Sequence, residues 1–188
     1  VQTSVNSFDH VMVEGNSAAA NADPLVYDMM AAFYTACSSF IAQNFGAKRR
    51  DRIRRSFEIC LLYSFLTGLI VGVGFYVFRY PFLALFTNER AVVEAGIYRL
   101  SVMALSYSVS AFMDCSIAAS RGLGKSIFPT IIVIMGSCVF RIIWIYTVFA
   151  HFRTIQSLYL LYVFSWTITA AAEVAYFIAA YRKTAARA

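Results

Sequence analysis

Five apolar runs, each long enough to cross a lipid bilayer, constrain this chain more than any other feature. They cover about residues 24–47, 57–80, 92–120, 126–149 and 158–181. A helix that crosses the hydrocarbon core needs roughly 20 apolar residues at about 1.5 Å per residue. The runs meet this length, and their composition is that of an integral membrane protein. The sequence therefore predicts an all-α integral membrane helical bundle.

The composition excludes the soluble alternatives that a basic chain suggests. Hydrophobic residues make up 60% of the chain and charged residues only 14%, whereas a soluble domain is usually about 25% charged. The net charge of +6 could suggest a nucleic-acid partner. The basic residues instead fall in short clusters between the apolar runs, which is typical of membrane loops. We therefore predict a membrane lipid environment and no nucleic-acid partner.

The distribution of positive charge predicts the orientation of the chain. When the loops are assigned alternately to the two sides, eleven basic residues fall on one side and four on the other, and Arg141 lies within a span. Loops that remain in the cytoplasm carry the excess of Lys and Arg. We therefore predict a multi-pass protein of the cell membrane with a cytoplasmic C-terminus. The four residues on the outer side are Arg79, Arg90, Arg99 and Arg153.

The beginning of the chain is less apolar than the rest. Residues 1–22 are small and polar, and we interpret them as the end of a transmembrane helix followed by an external loop. Asp23 is placed to cap the next helix, with Pro24 at its first position. Residues 23–188 then hold five transmembrane helices. The first residue is Val1 and not Met, so we expect this sequence to be a fragment of a longer protein.

A basic, glycine-containing turn lies between the third and fourth apolar runs. Gly122 and Gly124 permit a sharp reversal with positive φ, Arg121 supplies positive charge, and Pro129 falls in the first turn of the next helix. The segment resembles the end of a phosphate-binding loop, but that motif needs a glycine where Ala119 stands and a preceding soluble strand. We therefore predict a cytoplasmic hairpin between two spans.

Charged residues inside the apolar runs are the candidates for function, because a charge within the bilayer is costly. Asp114 is either a proton-binding or cargo-cation site or a structural partner of a nearby arginine or hydroxyl. Asp28 is near the outer surface, where it either attracts cationic cargo or is simply solvated. Arg141 is interpreted as structural, bonded to helix-end carbonyls or to a carboxylate such as Glu173.

Other patterns in the apolar runs point to packing. Gly68 and Gly72 are four residues apart, a spacing that permits close contact between helices. Aromatic residues such as Tyr27, Tyr34 and Tyr107 could stack on an aromatic cation, although packing explains any single one of them as well. The four cysteines lie in apolar runs without a CxxC pair, and the two histidines are far apart. We therefore predict no metal site and no cofactor.

Three separate motifs give the chain a family resemblance. The run 40–48, which contains Gln43, Asn44 and Gly46, is followed by 51–53 and resembles the second-half signature of multidrug and toxic compound extrusion (MATE) transporters. The turn 120–126 with Pro129 is similar to the family's RGxGxSxxP turn, and 136–146, with Arg141, resembles the family's segment directly after that turn. Gln43 and Asn44 are expected to hydrogen-bond between helices and to fix a bend.

The resemblance implies a fold and an activity. It implies twelve helices in two six-helix lobes, of which this chain would be the C-terminal lobe without most of its first helix; the N-terminal lobe would be its missing partner. Family members exchange H+ or Na+ for small cationic drugs or metabolites by alternating access. One branch of the family has a membrane carboxylate where this chain has Ser110, and Asp114 lies one helical turn further on.

Two other functions stay open at this point. A flippase for lipid-linked saccharides, from the same superfamily, should have a wider basic cleft, whereas Arg141 is the only deep basic residue. A non-transporting membrane scaffold or a membrane enzyme is the alternative from a different class. An enzyme needs a convergent set of reactive groups, and the acids within the spans are scattered over separate helices.

Overall fold

The computed structural model describes residues 9–186, and this part of the chain consists of helices and short connections. Five segments are long and apolar enough to cross a membrane, with α1 and α2 counted as one and with α3, α5, α6 and α7 as the others. This confirms the predicted all-α membrane bundle. The helices are α1 (His10–Ala20), α2 (Ala22–Gly46), α3 (Arg50–Val77), α4 (Arg79–Ala84), α5 (Arg90–Gly122), α6 (Ile127–Phe152) and α7 (Ile155–Ala186).

The connection between α1 and α2 is shorter than the sequence suggested. Within the described residues the expected external loop is a single turn at Asn21, whose side-chain amide donates to the carbonyls of Ser17 (3.2 Å) and Ala18 (3.1 Å). Because α2 begins at Ala22, Asp23 lies inside its first turn and does not cap it. Residues 1–8 of the predicted helix end lie outside the described residues.

Helix α5 is the centre of the bundle, and it packs against α1, α2, α3 and α7. Glycines permit its closest contacts. A Cβ atom added at Gly72 of α3 would lie 2.1 Å from the carbonyl oxygen of Ala104, and one at Gly68 would lie 3.2 Å from that of Tyr107. No larger residue fits at Gly72 without moving one of the two helices. The close helix contact predicted from the spacing of Gly68 and Gly72 is therefore confirmed.

Helix α6 lies at the edge of the bundle. Within Ile127–Phe152 only Pro129 is buried, and the helix contains two π-helical stretches, Ile134–Val139 and Ile145–Phe149. It leans mainly on α7, where a Cβ atom at Gly136 would lie 2.1 Å from the hydroxyl of Thr169. Most of this helix is therefore left open to lipid or to further protein.

The hairpin between α5 and α6 uses its two glycines differently. Gly124 has a φ of 73°, in the left-handed region that favours glycine. Gly122 is still helical, and a Cβ atom there would lie 2.7 Å from the carbonyl oxygen of Ser38 in α2. The first glycine thus serves packing and only the second serves the reversal. Pro129 is the third residue of α6, within its first turn as predicted.

The turn between α2 and α3 differs from expectation in its details. The residue with positive φ is Lys48 (55°) and not Gly46. The Asn44 amide donates to the carbonyl of Phe40 in its own helix at 2.8 Å, and Gln43 is exposed. The predicted hydrogen bonds between helices from Gln43 and Asn44 are therefore wrong.

Candidate functional site

Two carboxyl groups of the bundle, one fully buried and one half-buried, have buried oxygen atoms without partners in the part of the chain that the structure describes. Glu173 on α7 has no exposed surface, and neither of its carboxylate oxygens has a hydrogen-bond partner among the described residues. The Oδ2 atom of Asp114 on α5 is also buried without a partner there. A buried polar group without a hydrogen bond is costly, and a buried charge is more so. These groups are therefore available to bind a proton or a cation.

Two tyrosines of α2 interact electrostatically with Asp114. Tyr27 and Tyr34 are both within electrostatic range of its carboxylate, and Tyr34 is also within range of Asp28. Asp28 itself is exposed on the surface of α2. The structure therefore does not bring the two predicted aspartates together; it places one at the surface and one inside, with Tyr34 within range of both.

A cluster of aromatic side chains fills the space between α2, α5 and α7. The ring of Tyr27 lies edge-on to those of Tyr107 and Trp166, with centroids 6.2 Å away in each case. Tyr162 meets Trp166 edge-on at 5.8 Å. Edge-to-face pairs at these distances are favourable packing arrangements. Tyr27 and Tyr107 therefore contact other rings here, which fits the packing alternative for these two residues.

Arg141 reaches this aromatic cluster from α6. Its guanidinium carbon lies 4.6 Å from the centre of the Tyr162 ring, and its Nε donates to the hydroxyl of Ser165 at 3.2 Å. The proposed pairing with Glu173 is wrong, because Glu173 is eight residues beyond Ser165, or about 12 Å along the helix. The Ser165 hydroxyl in turn donates to the carbonyl of Gly136 at 2.8 Å. Arg141 therefore joins α6 to α7, which agrees with a structural role.

A buried charge cluster, which we missed from the sequence, lies near the start of α2. The guanidinium of Arg99 donates to Oδ2 of Asp23 at 2.7 Å and to the carbonyl of Asn16 at 3.2 Å. The hydroxyl of Tyr107 donates to the other carboxylate oxygen of Asp23. From the sequence we counted Arg99 among the outer loop residues, whereas it is only 5% exposed. Arg99 is nine residues beyond Arg90, the first residue of α5, and this distance into the helix could have indicated that Arg99 is not a loop residue.

An exposed stripe of polar residues runs along α2. We use the name polar stripe for Asp28, Thr35, Ser39 and Gln43, all of which are exposed. Their spacing of seven, four and four residues places them on one face of the helix. Within a bilayer, ionisable side chains such as Asp28 almost always face protein or a water-filled space. The polar stripe is therefore a face that borders something other than lipid.

Comparison with known proteins places this arrangement in a family. The family model described as MatE matches residues 3–147, which is more than half of the chain. The chain belongs to the MatE family. Two similar proteins are the probable multidrug resistance proteins YoeA of Bacillus subtilis, 27% identical over 99 residues, and NorM of Halalkalibacterium halodurans, 26% identical over 88 residues. These stretches cover 53% and 47% of this chain but only 21% and 19% of the two proteins.

Solved structures of MatE relatives share the fold. The MATE transporter VcmN of Vibrio cholerae in its bent form aligns with a TM-score of 0.82 at 21% identity, covering 97% of this chain and 41% of VcmN. A MOP superfamily transporter from Pyrococcus furiosus aligns with a TM-score of 0.76 at 16% identity, covering 97% of this chain and 44% of that protein. The MATE-type fold implied by the resemblance is thus confirmed, and this chain spans less than half the length of these relatives.

The MatE turn motif lies beside one of the unpartnered carboxylates. Arg121 of that motif is within electrostatic range of Glu173. Ser110 stands where one branch of the family has a carboxylate; it is fully buried and donates to the carbonyl of Tyr107 in its own helix at 2.8 Å. Ser110 is thereby occupied, whereas Asp114, one turn further on, keeps a free oxygen. The roles of these residues as sites stay predictions.

Proposed function

We propose that this chain is one lobe of a secondary active transporter that exports small cationic drugs or metabolites in exchange for H+ or Na+. The observation that carries the proposal is the polar stripe of α2, exposed along a membrane-length helix, with the unpartnered carboxylate of Asp114 behind it. A row of polar side chains would be unfavourable on a helix face that contacts lipid. A cleft between two lobes, filled with water and open to cargo, explains it.

The balance of free charge in the interior supports a positively charged ligand. Asp114 and Glu173 have carboxylate oxygens without partners among the described residues, whereas Arg141 stacks on Tyr162 and bonds to Ser165. The two carboxylates thus have oxygens free to accept a ligand, whereas the guanidinium of Arg141 is already engaged. In this proposal Asp114 binds the coupling ion or the cargo cation, Glu173 is a second carboxylate able to carry a proton, and Asp28 attracts cargo at the cleft surface.

The proposed cycle requires a second lobe. Alternating access arises when two helix bundles rock against each other around a central site, so the N-terminal six-helix lobe is the proposed partner. The excess of basic residues at the α2–α3 turn, the α5–α6 hairpin and the end of α7 supports a cytoplasmic C-terminus. The exposed surface of α6 and the polar stripe are the faces available for contact with further protein.

The flippase alternative has less support. A lipid-linked saccharide presents a pyrophosphate, which needs free basic groups deep in the cleft. Arg141 already contacts Tyr162 and Ser165, and the buried Arg99 is already bonded to Asp23 and Asn16. Binding of a lipid pyrophosphate to the purified protein in detergent would favour the flippase function over cation export.

The test is efflux of a cationic dye from cells that express the complete protein to which this chain belongs. Asp114→Asn should abolish the dependence of efflux on the H+ or Na+ gradient, because it removes the ionisable group and keeps the shape. Glu94→Gln is the matched control, since Glu94 is exposed and pairs with Arg90 at 3.1 Å on the surface of α5. Unchanged gradient dependence in Asp114→Asn would remove Asp114 from the proposal, and failure of the unmodified protein to move any cationic dye would reject cation export.

A further inference from the structure

A groove between α3 and α7 lies at the end of the bundle that carries most of the basic residues. Its volume is about 340 Å³, and it opens at the surface of both helices. Neither the residues of the aromatic cluster nor the two unpartnered carboxylates line it. The groove is lined by Arg54, Phe57, Glu58, Phe177, Ile178, Tyr181 and Arg182.

The rim of the groove carries an excess of positive charge. Arg54 and Glu58 form an exposed ion pair at 2.7 Å, one helical turn apart on α3. Arg182 on α7 is exposed and has no ion-pair partner among the described residues. The hydroxyl of Tyr181 donates to the carbonyl of Arg50 at 3.2 Å and so holds the two helix ends together. One positive charge therefore remains uncompensated on a fixed rim.

The floor of the groove is apolar. The rings of Phe57 and Phe177 pack with their centroids 4.3 Å apart, and Ile178 remains 41% exposed beside them. On α7 these residues precede Arg182 by four and five positions, so they lie about one turn deeper toward the membrane. The groove thus has a cationic end at the membrane surface and an apolar end in the hydrocarbon.

We propose that this groove binds an anionic phospholipid of the adjacent leaflet. Its phosphate lies against Arg182 and Arg54, and one acyl chain runs along Phe57, Phe177 and Ile178. Basic residues at a membrane surface attract anionic lipid headgroups, and the apolar floor supplies the surface that an acyl chain requires. A free anion would not contact the apolar floor favourably, and the uncompensated positive charge would repel a cation. The proposal does not depend on transport.

The test is native mass spectrometry of the purified full-length protein with added phosphatidylglycerol or phosphatidylcholine. Phosphatidylglycerol should be retained more than phosphatidylcholine, and Arg182→Gln should lower its retention about five-fold, the usual effect of one basic residue near a membrane surface. Arg52→Gln removes the same charge from an exposed position of α3 outside the groove and should leave retention unchanged. Equal losses in the two variants would reject the groove in favour of general charge attraction.

A variant that is expected to retain more phosphatidylglycerol separates loss of the site from loss of folding, because a misfolded protein would retain less. Glu58→Gln removes the negative charge of the groove and frees Arg54, so it should raise retention of phosphatidylglycerol by about the same factor. Ile178→Ser, at an exposed floor position, should lower it. Glycerol 1-phosphate, the headgroup without chains, should bind far more weakly than the lipid. If it binds equally well, or if Glu58→Gln lowers lipid retention, the proposed lipid site is wrong.

Discussion

In this bundle the charge cluster at Arg99 and two separate carboxylates, Asp114 and Glu173, are built in opposite ways. Near the start of α2, Asp23 accepts hydrogen bonds from both Arg99 and Tyr107, and Arg99 also donates to Asn16. Further along α5 and α7, Asp114 and Glu173 have carboxylate oxygens without partners among the described residues. Burial alone therefore does not indicate a role. A charged group whose hydrogen bonds are satisfied holds helices together, and one that is left unsatisfied is available to bind.

The largest effect is expected from breaking the satisfied cluster. Arg99→Ala leaves the carboxylate of Asp23 partly buried without its cation, and removal of one partner of a buried pair costs about 3–5 kcal/mol. Unfolding by denaturant in detergent should show this loss. Arg90→Ala, which breaks the exposed pair with Glu94, should change the free energy of unfolding by less than about 1 kcal/mol. Equal stability of Arg99→Ala and the unmodified protein would contradict a structural role.

The next largest effect concerns the helix contact that positions α5, which carries both Arg99 and Asp114. Gly72→Ala places a methyl group 2.1 Å from the carbonyl oxygen of Ala104, so α3 and α5 must separate. Overpacking of this kind costs about 1–3 kcal/mol. Gly74→Ala is a close control on the same helix, because a Cβ atom there meets nothing within 4 Å. The thermal midpoint in detergent should fall for Gly72→Ala and not for Gly74→Ala; the reverse order would mean that α3 and α5 do not approach as described.

A smaller effect, opposite in sign, is expected at the unsatisfied carboxylate of Glu173. Glu173→Gln replaces an unpartnered buried carboxyl group by a neutral group of the same shape, so the free energy of unfolding should stay constant or rise by up to about 1 kcal/mol. The comparison with Arg99→Ala in the same denaturation experiment is decisive. If Glu173→Gln destabilises the protein as strongly, Glu173 is a structural partner and the contrast with the cluster at Arg99 disappears.

Features that depend on the residues of a single helix could be predicted from the sequence. Length and hydropathy located the five spans, although α3 begins at Arg50 and not near residue 57. The apolar run marks the part within the membrane, whereas the helix continues through the basic cluster into water. The close contact at Gly72 was likewise predicted, because a small residue is needed wherever two backbones meet.

The partners of polar residues could not be predicted in the same way. Arg99 was counted with the outer loops, Arg141 was expected to bond to helix-end carbonyls or to a carboxylate such as Glu173, and Asn44 was expected to bond to another helix. Each assignment depends on which residues of a second helix lie opposite, and therefore on the rotation and depth of both helices. Where polar and apolar residues occur on every face of a helix, as on α5, the hydropathy pattern determines neither the rotation of the helix nor its depth. Satisfied and unsatisfied charged groups can be distinguished only when the helices are placed together.

The last prediction concerns two cysteine variants that should leave stability unchanged. Their labelling tests whether the polar stripe of α2 faces water, through which a ligand could reach Asp114. The background is Cys138→Ser, because Cys37, Cys60 and Cys115 are already buried. In this background, Ser39→Cys in the polar stripe and Ile131→Cys on exposed α6 should both leave the thermal midpoint unchanged, since both positions are exposed.

The labelling of the two cysteines should differ. A thiol reacts as thiolate, which forms in water and not in hydrocarbon. A membrane-impermeant maleimide should therefore label Ser39→Cys in the complete protein and spare Ile131→Cys. Equal protection of the two would place the stripe against lipid or tightly packed protein, and the unsatisfied carboxylates would then have no aqueous route.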